Sequence, residues 1–232
     1  MIVRSNGSEL ELITQPDHAQ LARRVMEHSR GLRDHPRRER ILHAVGEHDI
    51  GWAELDAEPT VNAETGEIYD FIHAPVAARQ AVWPRAVARL SSDPWVAALV
   101  AQHALTAYDR YRSDPEWTSF FDEMTRSRDD STARAEGRLE DLLADYMFVR
   151  LGDLISLSFC VGFTGEQQFG EYTVNRTADG VEVSPWLFED AAIAMEVQAR
   201  VIPGRAYPSD EALREAMAAA KPVVLRGSCV RR

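Results

Sequence analysis

The chain has 232 residues, 45% hydrophobic and 27% charged. That is the length of one large domain or two small ones, and a composition that excludes a disordered tail, a fibre or a small disulfide scaffold. Its 26 basic against 37 acidic residues give a formal net charge of -11, which disfavours nucleic-acid binding through phosphate neutralisation.

Taken in order, the ends read as strands and the middle as helices. Ile2 to Arg4 and Leu10 to Ile13 flank the turn residues Ser5-Asn6-Gly7-Ser8, a hairpin pattern. Thr14 with Asp17 three residues on is a capping-box pattern, and Pro16 suits a first turn. Leu21, Ala22, Val25 and Met26 then recur at helical spacing. A second helix is expected from near Pro36 to Gly51, with Ile41, Leu42 and Val45 inward. Gly51 to Ala74 reads as a loop carrying Glu54, Asp56, Glu58 and Glu64. Asp93-Pro94 and Asp114-Pro115 each open a helix, the second a short one, and Ser131 is expected to cap a long helix through Leu142, Leu143, Leu154 and Leu157. Glu171 to Asn175 and Val181 to Val183 form a second hairpin signal. Ala191 to Ile202 and Pro222 to Arg226 are further extended segments. The chain predicts a single domain over 1–232: a mainly α body at 14–160, with a small antiparallel sheet built from 1–13 and 171–232.

No run approaches about 18 apolar residues, so no membrane-spanning helix is expected. The first residues lack the apolar stretch of a signal peptide. Cys160 and Cys229 lie far apart in sequence, and reduced thiols in a cytoplasm are the expectation.

Placed on these helices, His18, His48-Asp49, His103 and Asp153 share inward faces with apolar neighbours. A single inward His is accounted for by a backbone carbonyl. A single inward Asp is accounted for by a cap or an ion pair, and Arg150 lies one turn from Asp153. Several helices converging with imidazole and carboxylate groups are how a helical core holds a transition metal. His28, His35 and His43 fit no such face.

Val45-Gly46-Glu47-His48-Asp49-Ile50-Gly51 resembles the central motif of HD-domain metal-dependent proteins, and Gly152-Asp153-Leu154-Ile155-Ser156-Leu157 resembles their final-Asp segment. Gln15-Pro16-Asp17-His18, His48-Asp49-Ile50-Gly51-Trp52 and Tyr69-Asp70-Phe71 are similar to an uncharacterised bacterial branch. The resemblance implies an HD-type helical bundle over about residues 14–160. It implies His18, His48, Asp49 and Asp153 around one ion, with His73 and His103 completing a second site that Asp49 bridges and where it acts in catalysis. The chain departs at Trp52, where many HD enzymes carry Lys or His.

Trp52, Glu54, Asp56 and Tyr69 are expected at the site entrance, with Arg150 and Arg112 as phosphate partners for a small-molecule substrate. Three functions stay open: a metal-dependent phosphohydrolase, a mixed-valent di-iron oxygenase cleaving a C–C or C–P bond, and a non-catalytic metal- or ligand-binding module. One or two ions of Fe, Mn, Zn, Ni or Mg fit these ligands equally at this level.

Overall fold

The computed structural model describes residues 1–162 and 165–232. The chain opens with a hairpin, β1 (Ile2–Asn6) and β2 (Glu9–Ile13), in which Ile2 faces Ile13 and Asn6 faces Glu9. Gly7, at φ 63°, takes the left-handed turn position. A helical body follows: α1 (Gln15–Met26), α2 (Arg38–Glu47), the short α3 (Ala53–Ala57), α4 (Val76–Arg89), α5 (Pro94–Ala107), α6 (Thr118–Arg134) and α7 (Leu139–Val161). Then come β3 (Glu166–Phe169), β4 (Tyr172–Thr177), β5 (Gly180–Ser184), β6 (Ala192–Pro203), α8 (Asp210–Ala219) and β7 (Pro222–Arg231).

Local chemistry sets several boundaries as expected. The Thr14 hydroxyl accepts the Asp17 N–H at 3.1 Å and donates to the Asp17 carboxylate at 2.6 Å, so the cap is reciprocal, though through side chain rather than backbone of Thr14. Asp93 accepts the Trp95 N–H at 3.1 Å, with Pro94 at the first helical position. A boundary for which no expectation was stated is Gly162, which ends α7 in the left-handed conformation, φ 74°.

Other boundaries differ. Ser131 caps nothing; it is buried inside α6. The chain turns instead at Glu136 and Gly137, and a Cβ on Gly137 would lie 2.1 Å from the Trp95 ring. Only glycine lets the turn close over that indole. Leu143, expected on the apolar stripe of this helix, is exposed near the start of α7, as is Leu139. The segment after Asp114-Pro115 is a long helix of 17 residues rather than a short one.

The fold class is corrected on the sheet. The expectation was a mainly α, HD-type bundle with a small antiparallel sheet. The structure is 51% helical and 22% strand, with seven strands in one mixed sheet curled into a half-barrel, in the order β1-β2-β6-β7-β5-β4-β3. The terminal segments do pair, Leu10 with Ile202 and Leu12 with Arg200. β7 makes the sheet large. It lies antiparallel to β6 and parallel to β5, and so joins the strands β1-β2-β6 to the β3-β4-β5 meander in one layer. Long-range parallel pairing has no local sequence signature.

β6 alternates as the sequence implies, with Ile193, Met195, Val197 and Ala199 buried and Ala192, Ala194, Glu196, Gln198 and Arg200 exposed. Its buried face lies in one core with α1, α2, α5 and α7. Gly152 lets α7 close on α1 and α2, since a Cβ there would lie 2.8 Å from Met26 and 3.1 Å from Val45.

Candidate metal centre

The capped start of α1 places His18 one turn in, on the face of Leu21, Ala22 and Val25. His48 ends α2, and Asp49 leaves the helix at φ −109°, ψ 15°. The next turn, Ile50–Trp52, runs against α4, and a Cβ on Gly51 would lie 1.9 Å from the Val82 carbonyl oxygen. Glycine at this position is therefore a requirement of backbone approach. α7 supplies Asp153 and α5 supplies His103, both buried.

The four groups from α1, α2 and α7 converge. His18 Nε2 lies 3.1 Å from Asp49 Oδ2 and 3.6 Å from Asp153 Oδ1. His48 Nε2 lies 3.6 Å from each of the same two oxygens. His103 Nε2 is 3.9 Å from Asp153 Oδ2. His18, His48 and Asp49 could hold a metal ion, as could His48, His103 and Asp153. Ligand atoms about 2.0–2.2 Å from a first-row ion stand about 3–3.6 Å from one another.

Hydrogen bonds behind the rings assign their protons. His48 Nδ1–H donates to the Val45 carbonyl at 2.7 Å. The Ser156 hydroxyl donates to the Asp153 carbonyl at 3.1 Å, so its oxygen accepts His18 Nδ1–H at 2.8 Å. In the neutral rings both Nε2 atoms then carry lone pairs, and they face each other at 3.1 Å. Two lone pairs at that distance repel unless a cation lies between them. In the metal-free protein a proton held on His48 removes that repulsion. Burial opposes a charged His48, but Asp49 and Asp153 outweigh it and push the ring up to about 9. The Asp49 carboxyl is lowered against its own burial by His48 and His18, and Asp153 is held well below the carboxylate range by His48, His103 and Arg150. Burial drives His103 down to about 3, and its Nδ1 lies 3.2 Å from the Tyr146 hydroxyl.

A cavity of about 240 Å³ opens beside these groups. Its walls include Asp49, Asp153, His103, Trp52, Arg110 and Arg150. Arg150 bonds Asp153 Oδ2, leaving Oδ1 toward the two histidines. The ion pair expected between these residues therefore coexists with the ligand geometry.

Not every expected residue joins the site. His73 has a side chain 74% exposed and bonds Asp70 Oδ1 at 2.8 Å, in a turn outside the cluster. Arg112 is exposed, bonded to Asp109 and stacked on Phe121. Glu54 pairs with Arg89 on the surface. Asp56 is buried and accepts the Gln15 backbone N–H, so it braces α1 instead of lining an entrance. Tyr69 lines a separate groove. Only Trp52, of the loop residues expected at the entrance, lines the cavity. Ser156 was not singled out from sequence, although it lies one helical turn beyond Asp153. Arg110 carried no local signal.

The chain belongs to a family described as a protein of unknown function, DUF3891, whose pattern matches residues 1–204. No curated protein and no solved structure matches the chain.

Proposed function

For this member of the DUF3891 family, we propose a metal-dependent hydrolase acting on a small phosphoester-like substrate, with one ion held by His18, His48, Asp49 and Asp153. One observation carries the reading: two imidazole lone pairs, each oriented from behind, face each other at 3.1 Å between two carboxylates. The donor set of imidazoles and carboxylates suits Zn, Mn, Fe or Ni better than Mg, which prefers oxygen ligands. Bound there, the ion supplies Lewis acidity and activates water near neutral pH.

The chain's own residues do the rest. Val45 and Ser156 hold the two rings in the ligating tautomer. Arg150 pairs with Asp153 and lines the cavity with positive charge, and Arg110 lines it as well. At about 30 Å³ per water, a cavity of about 240 Å³ takes on the order of ten non-hydrogen atoms. That supports a small phosphoester over a nucleotide.

The di-iron oxygenase reading is less well supported. A second ion would have His103 but not His73, and Asp153 Oδ2 is already engaged by Arg150. A non-catalytic metal- or ligand-binding module would use the same ligands and the same cavity, and turnover separates it from the hydrolase. Metal analysis of purified protein with a screen of small phosphoesters tests the proposal. About one ion per chain and turnover lost in Asp49→Ala are expected. Metal-free protein that takes up no Zn, Mn, Fe or Ni refutes it. Two irons per chain with a mixed-valent signal refutes the hydrolase in favour of the oxygenase.

A further inference from the structure

The segment Tyr69–His73, set apart in the sequence but outside the metal centre, forms one wall of a second depression. This groove, about 1100 Å³, runs between the β1–β2 hairpin and the first turn of α4. Among the described residues, Ile72 alone lines both it and the metal cavity.

Arg79, on α4, lines the groove and is only 8% exposed. Its guanidinium carbon lies 5.3 Å from the Tyr111 ring centre and 5.4 Å from that of Trp117. The two rings stack on each other, 7° from parallel. Among the described residues its side chain makes one hydrogen bond, from Nη1 to the Tyr111 hydroxyl at 3.2 Å, and Nε has no partner. No carboxylate among those residues pairs with it. Asp70, the near acid in sequence, spends Oδ1 on the N–H groups of Ile72 and His73 and on the His73 ring.

A buried cation without a counter-ion is costly, and aromatic stacking leaves its in-plane N–H donors unused. Here the guanidinium lies against the two rings at the edge of a groove. That is the arrangement with which arginine grips a planar anion through two parallel hydrogen bonds. Glu9, Glu67 and Asp70 on the same walls oppose a multiply charged ligand.

We propose that this groove is a binding site for the carboxylate of a small singly charged molecule, with Arg79 as its anchor. The site is independent of the metal centre, so either assignment stands without the other.

Thermal denaturation with acetate as the probe tests it, at ionic strength held constant with chloride, on wild type, Arg79→Met and Arg79→Lys. Acetate should raise the wild-type Tm saturably. Arg79→Met should keep the ligand-free Tm or raise it, keep its metal content, and lose the acetate response. Arg79→Lys should weaken the apparent acetate affinity at least tenfold, because the bidentate fork is gone. A wild type without saturable response overturns the proposal. So does a lower Tm in both variants with the acetate response retained, which assigns Arg79 to packing alone. A failure of Arg79→Met to fold, with Arg79→Lys responding like wild type, overturns it as well. Inorganic phosphate stabilising the wild type more than acetate replaces the carboxylate site with a phosphoryl site.

Discussion

α7 carries two buried aspartates about two turns apart, Asp145 and Asp153, and their surroundings differ in one respect. Asp145 is surrounded by donors: Arg37 reaches it through Nε and Nη2, at 2.5 and 3.0 Å, and Trp95 donates Nε1–H at 2.9 Å. Its charge is answered within the chain, and His35 stands by at 3.4 Å without being needed. Asp153 turns one oxygen to Arg150 and the other to two imidazole nitrogens whose own N–H groups are spent elsewhere. Asp49 faces the same nitrogens. Both places are buried and contain Asp with nearby His. The first is complete with protein atoms alone, whereas the second needs a cation. Supply of donors separates a structural carboxylate from a ligand, and burial does not.

Exchanging the roles should fail in opposite ways. Asp49→Ala should abolish metal binding outright, read as metal per chain after dialysis, while His73→Ala leaves metal content unchanged. Equal metal in Asp49→Ala and wild type would erase the distinction. Asp145→Ala should leave metal content intact and destabilise the fold by about 3 kcal/mol. That is the low end for a broken buried ion pair, because Arg37 is 31% exposed and can reach water. Chemical denaturation checks this, and metal loss without a stability change would invert the comparison.

Ser156→Ala sharpens it. The variant removes the acceptor that sets the His18 tautomer without touching a ligand, so metal affinity should fall by about 10–100-fold. Competition with a chromophoric chelator measures the change, and an unaltered affinity would mean the ring needs no such orientation.

pH gives the smallest and most graded effect. His48 is raised to about 9 from 6.5 in the metal-free fold. Its contribution to stability is therefore full below 6.5 and is lost as pH rises through about 9. Metal-free protein should lose stability across that window, and metal-loaded protein should not. For the same reason apparent metal affinity should rise by up to about tenfold per pH unit as pH approaches 9, since the ion displaces the His48 proton. A flat affinity profile across that range would place the proton elsewhere.

Among the described residues, no helix is long and apolar enough to cross a membrane. Cys160 and Cys229 are free and buried, and burial pushes each thiol up to about 12.

What could be read from the sequence is what a few neighbouring residues determine. The Thr14–Asp17 cap, the Asp93-Pro94 start, the turn at Gly7 and the alternation of β6 follow from steric and hydrogen-bonding rules acting within one turn or one pleat. Helical period put His18, His48-Asp49, His103 and Asp153 on inward faces, and those faces do meet. Three things needed the tertiary structure. The place of β7 between β5 and β6 depends on partners from distant parts of the chain. The break at Gly137 depends on the Trp95 ring, which comes from another helix. The exclusion of His73 and the engagement of Asp153 Oδ2 by Arg150 depend on where side chains end in space. Spacing along a chain restricts which residues can share a face. It does not say which buried acid already has its donors, because those donors arrive from helices that only the folded packing brings alongside.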